Sequence, residues 1–122
     1  MAAPNIVNVS TITGITTGRA LTTSLTTALV MNPASSGKAF KINSIVVANV
    51  DGSSSADASI EFYDASATAA TRIASTVTVP ADSTLIVVDK NSSFYLEEGD
   101  LIRGGASANS DLECLISYEE LS

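Results

Sequence analysis

Short runs of alternating apolar and polar residues predict an all-β protein. The expected form is an antiparallel, jelly-roll-like β-sandwich of about seven or eight strands. Three observations carry this reading. Runs of period two are separated by turn residues. No apolar stripe recurs at helical spacing. Val, Ile and Thr, which fit a pleated surface, are abundant along the chain.

The first 25 residues stand apart. From Asn5 to Leu29 the chain is rich in Thr, Ser, Ile and Leu, and Arg19 is its only charge. Thr-rich, β-branched sequence favours extended backbone. Residues 1–25 therefore read as an edge hairpin packed on the sandwich, or as an extended arm that pairs with a neighbouring subunit's sheet. Ile6, Val7, Val9, Ile12, Ile15 and Arg19 are the candidate assembly contacts. Residues 26–122 read as the sandwich itself.

Lys38 to Asp51 is the clearest strand. Strict alternation puts Phe40, Ile42, Val46, Ala48 and Val50 on one face. Lys41, Asn43, Asn49 and Asp51 fall on the other, together with Ile45 and Val47, so both faces of the middle should be covered. Asp51 to Ser55 reads as a loop. Ala58, Ile60 and Phe62 then point inward, and Asp57, Ser59 and Glu61 outward. Between Ala65 and Ala74 the alanines allow at most one helical turn. Arg72 to Val79 alternates again until Pro80, which cannot donate to a ladder. Thr84 to Val88 and Phe94 to Glu97 are short strands. Glu97 to Asp100 reads as a solvated tight turn into Leu101 to Arg103, and Gly104-Gly105 as a bulge or bend. Leu112, Cys114, Ile116 and Tyr118 alternate in the last strand.

Composition narrows the function. Of 122 residues, 45% are hydrophobic and 16% charged, so the chain can bury a core. The net charge is −7, and the 6 basic residues are scattered. Nucleic-acid binding needs clustered Lys and Arg, and anionic membranes attract the same. Neither partner is expected. No apolar stretch approaches the length of a membrane span, and no signal-peptide pattern opens the sequence. The expected site of synthesis is a reducing cytoplasm.

The sequence lacks histidine and has a single cysteine. A His-based triad and a His or multi-Cys metal site are thereby excluded. Cys114 alternates with Leu112 and Ile116 and reads as a core residue. Glu97, Glu98 and Asp100 crowd one turn, where carboxylates cannot flank a glycosidic bond. Asp51, Asp57, Asp64 and Asp111 are oxygen donors, but their spacing matches no calcium loop. No cofactor, no metal and no catalytic residue are expected. Tyr63 falls on an outward face and is the candidate platform for stacking a sugar.

Several segments resemble a group of small virion proteins found in tailed phages of marine bacteria. They are Pro4-Asn5-Ile6-Val7-Asn8-Val9, Ser36 to Ile45, Ala48-Asn49-Val50-Asp51-Gly52, Phe94 to Asp100 and Ile116 to Glu120. The resemblance runs over almost the full length. It implies a non-enzymatic structural protein of the virion, made in the host cytoplasm. The placement it suggests is a capsid decoration, or cement, protein that contacts the major capsid protein or other virion proteins as a homo-oligomer, by analogy a trimer. A tail, neck or fibre component is the second placement. A carbohydrate-binding sandwich is the alternative of another class.

Overall fold

The computed structural model describes residues 5–122, so the first four residues of the 1–25 segment lie outside it. Nine strands form: β1 (Ile12–Ala20), β2 (Ala28–Met31), β3 (Ala39–Asn49), β4 (Ala56–Asp64), β5 (Ala69–Val79), β6 (Thr84–Val88), β7 (Phe94–Leu96), β8 (Leu101–Ala106) and β9 (Leu112–Leu121). A single 3-10 turn at Lys90–Ser92 is the one helical element among the described residues. No helix there is long and apolar enough to cross a membrane.

The strands lie in two antiparallel sheets, ordered β1-β9-β3-β6 and β2-β8-β4-β5, with the short β7 also on β3. The pairings β1–β9, β2–β8, β3–β6 and β4–β5 describe one long double ribbon whose tip is the turn after Asp64. Rolling that ribbon adds the contacts β9–β3 and β8–β4 and closes a jelly roll. The expected jelly-roll-like sandwich is therefore the observed fold.

The described part of the first segment forms no hairpin, and its strand pairs within its own chain rather than with a neighbouring subunit. β1 pairs along its whole length with β9, from Ile12 opposite Leu121 to Ala20 opposite Glu113. It is an edge strand whose partner comes from the far end of the sequence. Residues 65–68 form a turn, with Thr68 at φ 51°, and no helix forms between Ala65 and Ala74.

The core lies between the sheets. Ile42, Ile45, Val47, Ile60, Leu96, Ile102, Leu112 and Ile116 are fully buried. At roughly 1.5–3 kcal/mol per buried aliphatic side chain, this cluster is the main favourable term.

β3 corrects the alternation. Ile42 lies opposite Tyr118 and Ser44 opposite Ser117, so Asn43 is a bulged residue. One extra residue inverts the face of everything after it. Ile45, Val47 and Asn49 therefore point into the core, while Val46 and Ala48 lie on the outer face and Val50 is exposed. The reading that put Val46, Ala48 and Val50 inside fails for this reason alone.

Two asparagines tie opposite ends of the roll. Asn32 Nδ2 donates to the carbonyls of Lys38 (2.8 Å) and Leu96 (3.1 Å). Asn49 Nδ2 donates to the carbonyls of Ser54 (3.0 Å) and Val79 (2.9 Å). Each side chain meets the obligation of buried backbone acceptors where strands leave the ladder.

The turn at Glu97–Asp100 forms as expected, with Gly99 at φ 89° in the third position, where a type II turn requires positive φ. It is solvated only in part, with Glu97 exposed. Asp100 is buried, and its carboxylate accepts the N–H groups of Ala65 and Glu97, each at 3.0 Å. Gly104 and Gly105 make no bulge. β8 runs in unbroken register against β4, and both glycines are places of close backbone approach. A Cβ on Gly105 would lie 2.5 Å from the Ser24 carbonyl oxygen, and one on Gly104 would collide with the Ser59 carbonyl.

Candidate functional site

The outer face of the first sheet carries exposed apolar residues. The bulge in β3 builds it. Cross-strand register sets Gly18, Leu115, Val46 and Ile86 in one row across β1, β9, β3 and β6. Ala20, Glu113, Ala48 and Thr84 form the next row. Leu115 is 48% exposed and Ile86 64%. An apolar row of this kind, left exposed by the described residues, is a mark of an interaction surface.

The same face is hollow as well as apolar. Gly18, Ala20, Val46, Ala48 and Leu115 line a shallow depression of about 510 Å³. Beside it, Gly14, Ile15, Lys41, Ser117, Tyr118 and Glu119 are among the residues lining a second depression of about 570 Å³, which carries charges of both signs. Two glycines and several small side chains lower the floor beneath the taller neighbours. Nothing lies within 4 Å of a Cβ placed on Gly14. Asn43, lifted by the bulge, donates to Glu119 Oε1 at 3.1 Å and fixes the polar rim.

The candidate assembly contacts are dispersed. Asn5 Oδ1 accepts the Val7 N–H at 2.9 Å, and the Asn8 N–H donates to the Asn5 carbonyl at 3.0 Å. Ile6 and Val7 form the apex of that turn, and Val7 is 83% exposed. Ile12 is exposed on β1, and Val9 and Ile15 are half-buried. Arg19 is bonded within the chain: its Nη1 donates to the Ala28 carbonyl at 2.7 Å.

Tyr63 does lie on the outer face, that of the second sheet. There Glu61 accepts Nε of Arg72 at 3.0 Å and also Nε of Arg103. The Arg103 guanidinium lies over the Tyr63 ring, 4.7 Å from its centroid. One ring face is thus already taken by a cation–π contact, and a sugar would have to displace it or use the other.

An open seam runs between β5 and β6–β7, the edges of the two sheets on that side. Phe62, Thr71, Ile73, Val87, Phe94 and Tyr95 are among the residues lining a groove there of about 340 Å³. Phe62 and Phe94 meet edge to face with centroids 6.0 Å apart and form its floor.

Two of the aspartates cap their own turns. Asp51 accepts the N–H and hydroxyl of Ser53, and Asp64 accepts those of Ser66. Hydrogen bonds from these serines hold both carboxyls below the ordinary value. Asp57 accepts the Thr78 hydroxyl at 2.8 Å. Among the described residues, no three His, Cys, Asp or Glu side chains gather as metal ligands would. Cys114 is buried, and burial pushes its thiol up to about 12.

Compared with known proteins, the chain matches no family model and no curated sequence.

Proposed function

We propose that this protein is a non-enzymatic structural subunit of a phage virion, a capsid decoration protein that docks on the assembled shell through the outer face of its first sheet. The observation that carries the reading is the apolar row Leu115, Val46 and Ile86 beside the glycine-floored hollow. Such a face suits a flat, repeated contact with the major capsid protein, in which small residues admit a partner's protruding side chains. The resemblance to small virion proteins supports the same reading. Jelly rolls serve viral shells and lectins alike, so the fold supports the class only by analogy. The sugar-binding alternative draws less support, because Arg103 occupies a face of its best platform, Tyr63.

The test is co-sedimentation with undecorated phage heads. The intact protein should pellet with the heads. Leu115→Asp and Ile86→Asp, which place charge on an exposed position without touching the core, should leave it in the supernatant. An intact protein that stays in the supernatant sinks the proposal.

A further inference from the structure

The turn at Asn5–Asn8 and the seam groove have matching character. The turn holds Ile6 and Val7 out in water on a hydrogen-bonded frame. Turn corners favour Gly, Pro, Asn, Asp and Ser; here they are two β-branched aliphatic residues, Ile6 52% and Val7 83% exposed. The groove is an apolar recess floored by Phe62 and Phe94, and none of the described residues fills it. Both parts are also free of charge. No ionisable side chain lies between Asn5 and Gly18, and Tyr95 is the only titratable residue that lines the groove. In a chain of net charge −7, these are places where two copies meet without bringing carboxylates together.

Their positions decide how they can meet. The turn precedes β1, and the N–H groups of Ser10 and Thr11 fasten that segment to the Ser122 carbonyl. The groove opens beside β6 and β7, at the opposite edge of the same sheet. A knob on one edge and a socket on the other make a heterologous pair, which propagates from copy to copy and closes into a ring when the rotation allows.

We propose that the Ile6–Val7 turn of one copy seats in the Phe62–Phe94 groove of the next, linking the subunits head to tail. This rests on reading the protein as an assembly subunit, and it names a surface separate from the shell-binding face. One such contact is small and weak, so the association gains strength from ring closure or from alignment on a shell.

Complementation tests it. One variant lacks residues 1–9 and keeps the groove. A second, Ile73→Glu, keeps the knob and charges the groove; Thr71→Lys at the exposed mouth is a milder version if Ile73→Glu unfolds. Sedimentation velocity from about 10 μM to about 1 mM covers the range in which contacts of this size act. The intact protein should form species larger than a dimer. Each variant alone should be monomeric, and their mixture should stop at a dimer. Disulfide trapping gives the register: Val7→Cys mixed with Thr71→Cys should cross-link, and Val7→Cys mixed with Thr78→Cys should not, while buried Cys114 stays silent. An intact chain that remains monomeric overturns the inference, as do oligomers that survive both variants. A chain that is monomeric yet still pellets with heads overturns this inference and leaves the shell-binding proposal standing.

Discussion

The Arg19 guanidinium donates to the Ala28 carbonyl at 2.7 Å, and that bond joins the edge strands of the two sheets. β1 and β2 border the same side of the sandwich, and the clip closes it; the opposite side, between β5 and β6, stays open as a groove. Arg19→Ala should cost about 0.5–1.5 kcal/mol by urea denaturation, the worth of one such hydrogen bond. Amide exchange should quicken in residues 12–20 more than in β3. Uniform loss of protection would mean that the clip does not act on the edge.

Asn32 and Asn49 each place one amide between two carbonyls. Replacing either with Ala strands two acceptors, at about 1–3 kcal/mol for a group left unsatisfied. The two sites share no partner, so the double variant should lose the sum within roughly 0.5 kcal/mol. Asn32→Asp should cost at least as much as Asn32→Ala, because it turns an oxygen toward the carbonyls of Lys38 and Leu96.

Gly105→Ala and Gly14→Ala make a contrasting pair. At Gly105 the added methyl meets two backbone carbonyl oxygens, those of Ser24 and Thr22 at 2.5 and 2.7 Å, and backbone cannot swing away. The expected loss is about 1–3 kcal/mol by thermal or chemical unfolding. At Gly14 nothing is met, so stability should hold or rise slightly, since alanine loses less entropy than glycine.

Cys114 sets an alkaline limit. Its thiol ionises at an ordinary value of 9.0 in the unfolded chain and is pushed up to about 12 in the fold. A raised folded-state pKa gives stability that is intact below 9.0 and declines as pH climbs toward about 12. Cys114→Ala should flatten that decline in urea titrations across this window. At neutral pH a disulfide reagent should modify the native thiol no faster than the protein unfolds.

The sheets were legible because apolar and polar residues alternate along β4, and buried and exposed ones along the first half of β9. Ile60 and Ile116 declared the core from local pattern alone. Asn43 broke the method: a bulge adds one residue without a composition of its own, and every later residue of β3 then reads on the wrong face. The outer apolar row is hidden for the same reason, since strict alternation places Val46 on the face of Phe40 and Ile42. Asp100 and Asn49 look like surface residues because one of the groups each bonds, the Ala65 N–H and the Val79 carbonyl, comes from 30 or more residues away. Tyr63 was read correctly as outward, but the cation above it, Arg103, belongs to a strand far along the chain. Interactions of long sequence separation leave no local trace, and a rolled ribbon consists largely of them.

The ribbon has a consequence for the order in which the molecule is made. Its tip, β4 with β5, joins neighbours in sequence, whereas Thr16 meets Ser117 across a separation of 101 residues. Loop closure costs more as the loop grows, and chains dominated by distant pairs fold slowly. The tip can zip first, and β1 comes to rest on β9 near the end. Gly14 and Gly18 sit on that late strand. The hollow beside Leu115 is thus finished only when the rest of the molecule is already folded, so a half-formed chain lacks the complete face that the proposed docking needs.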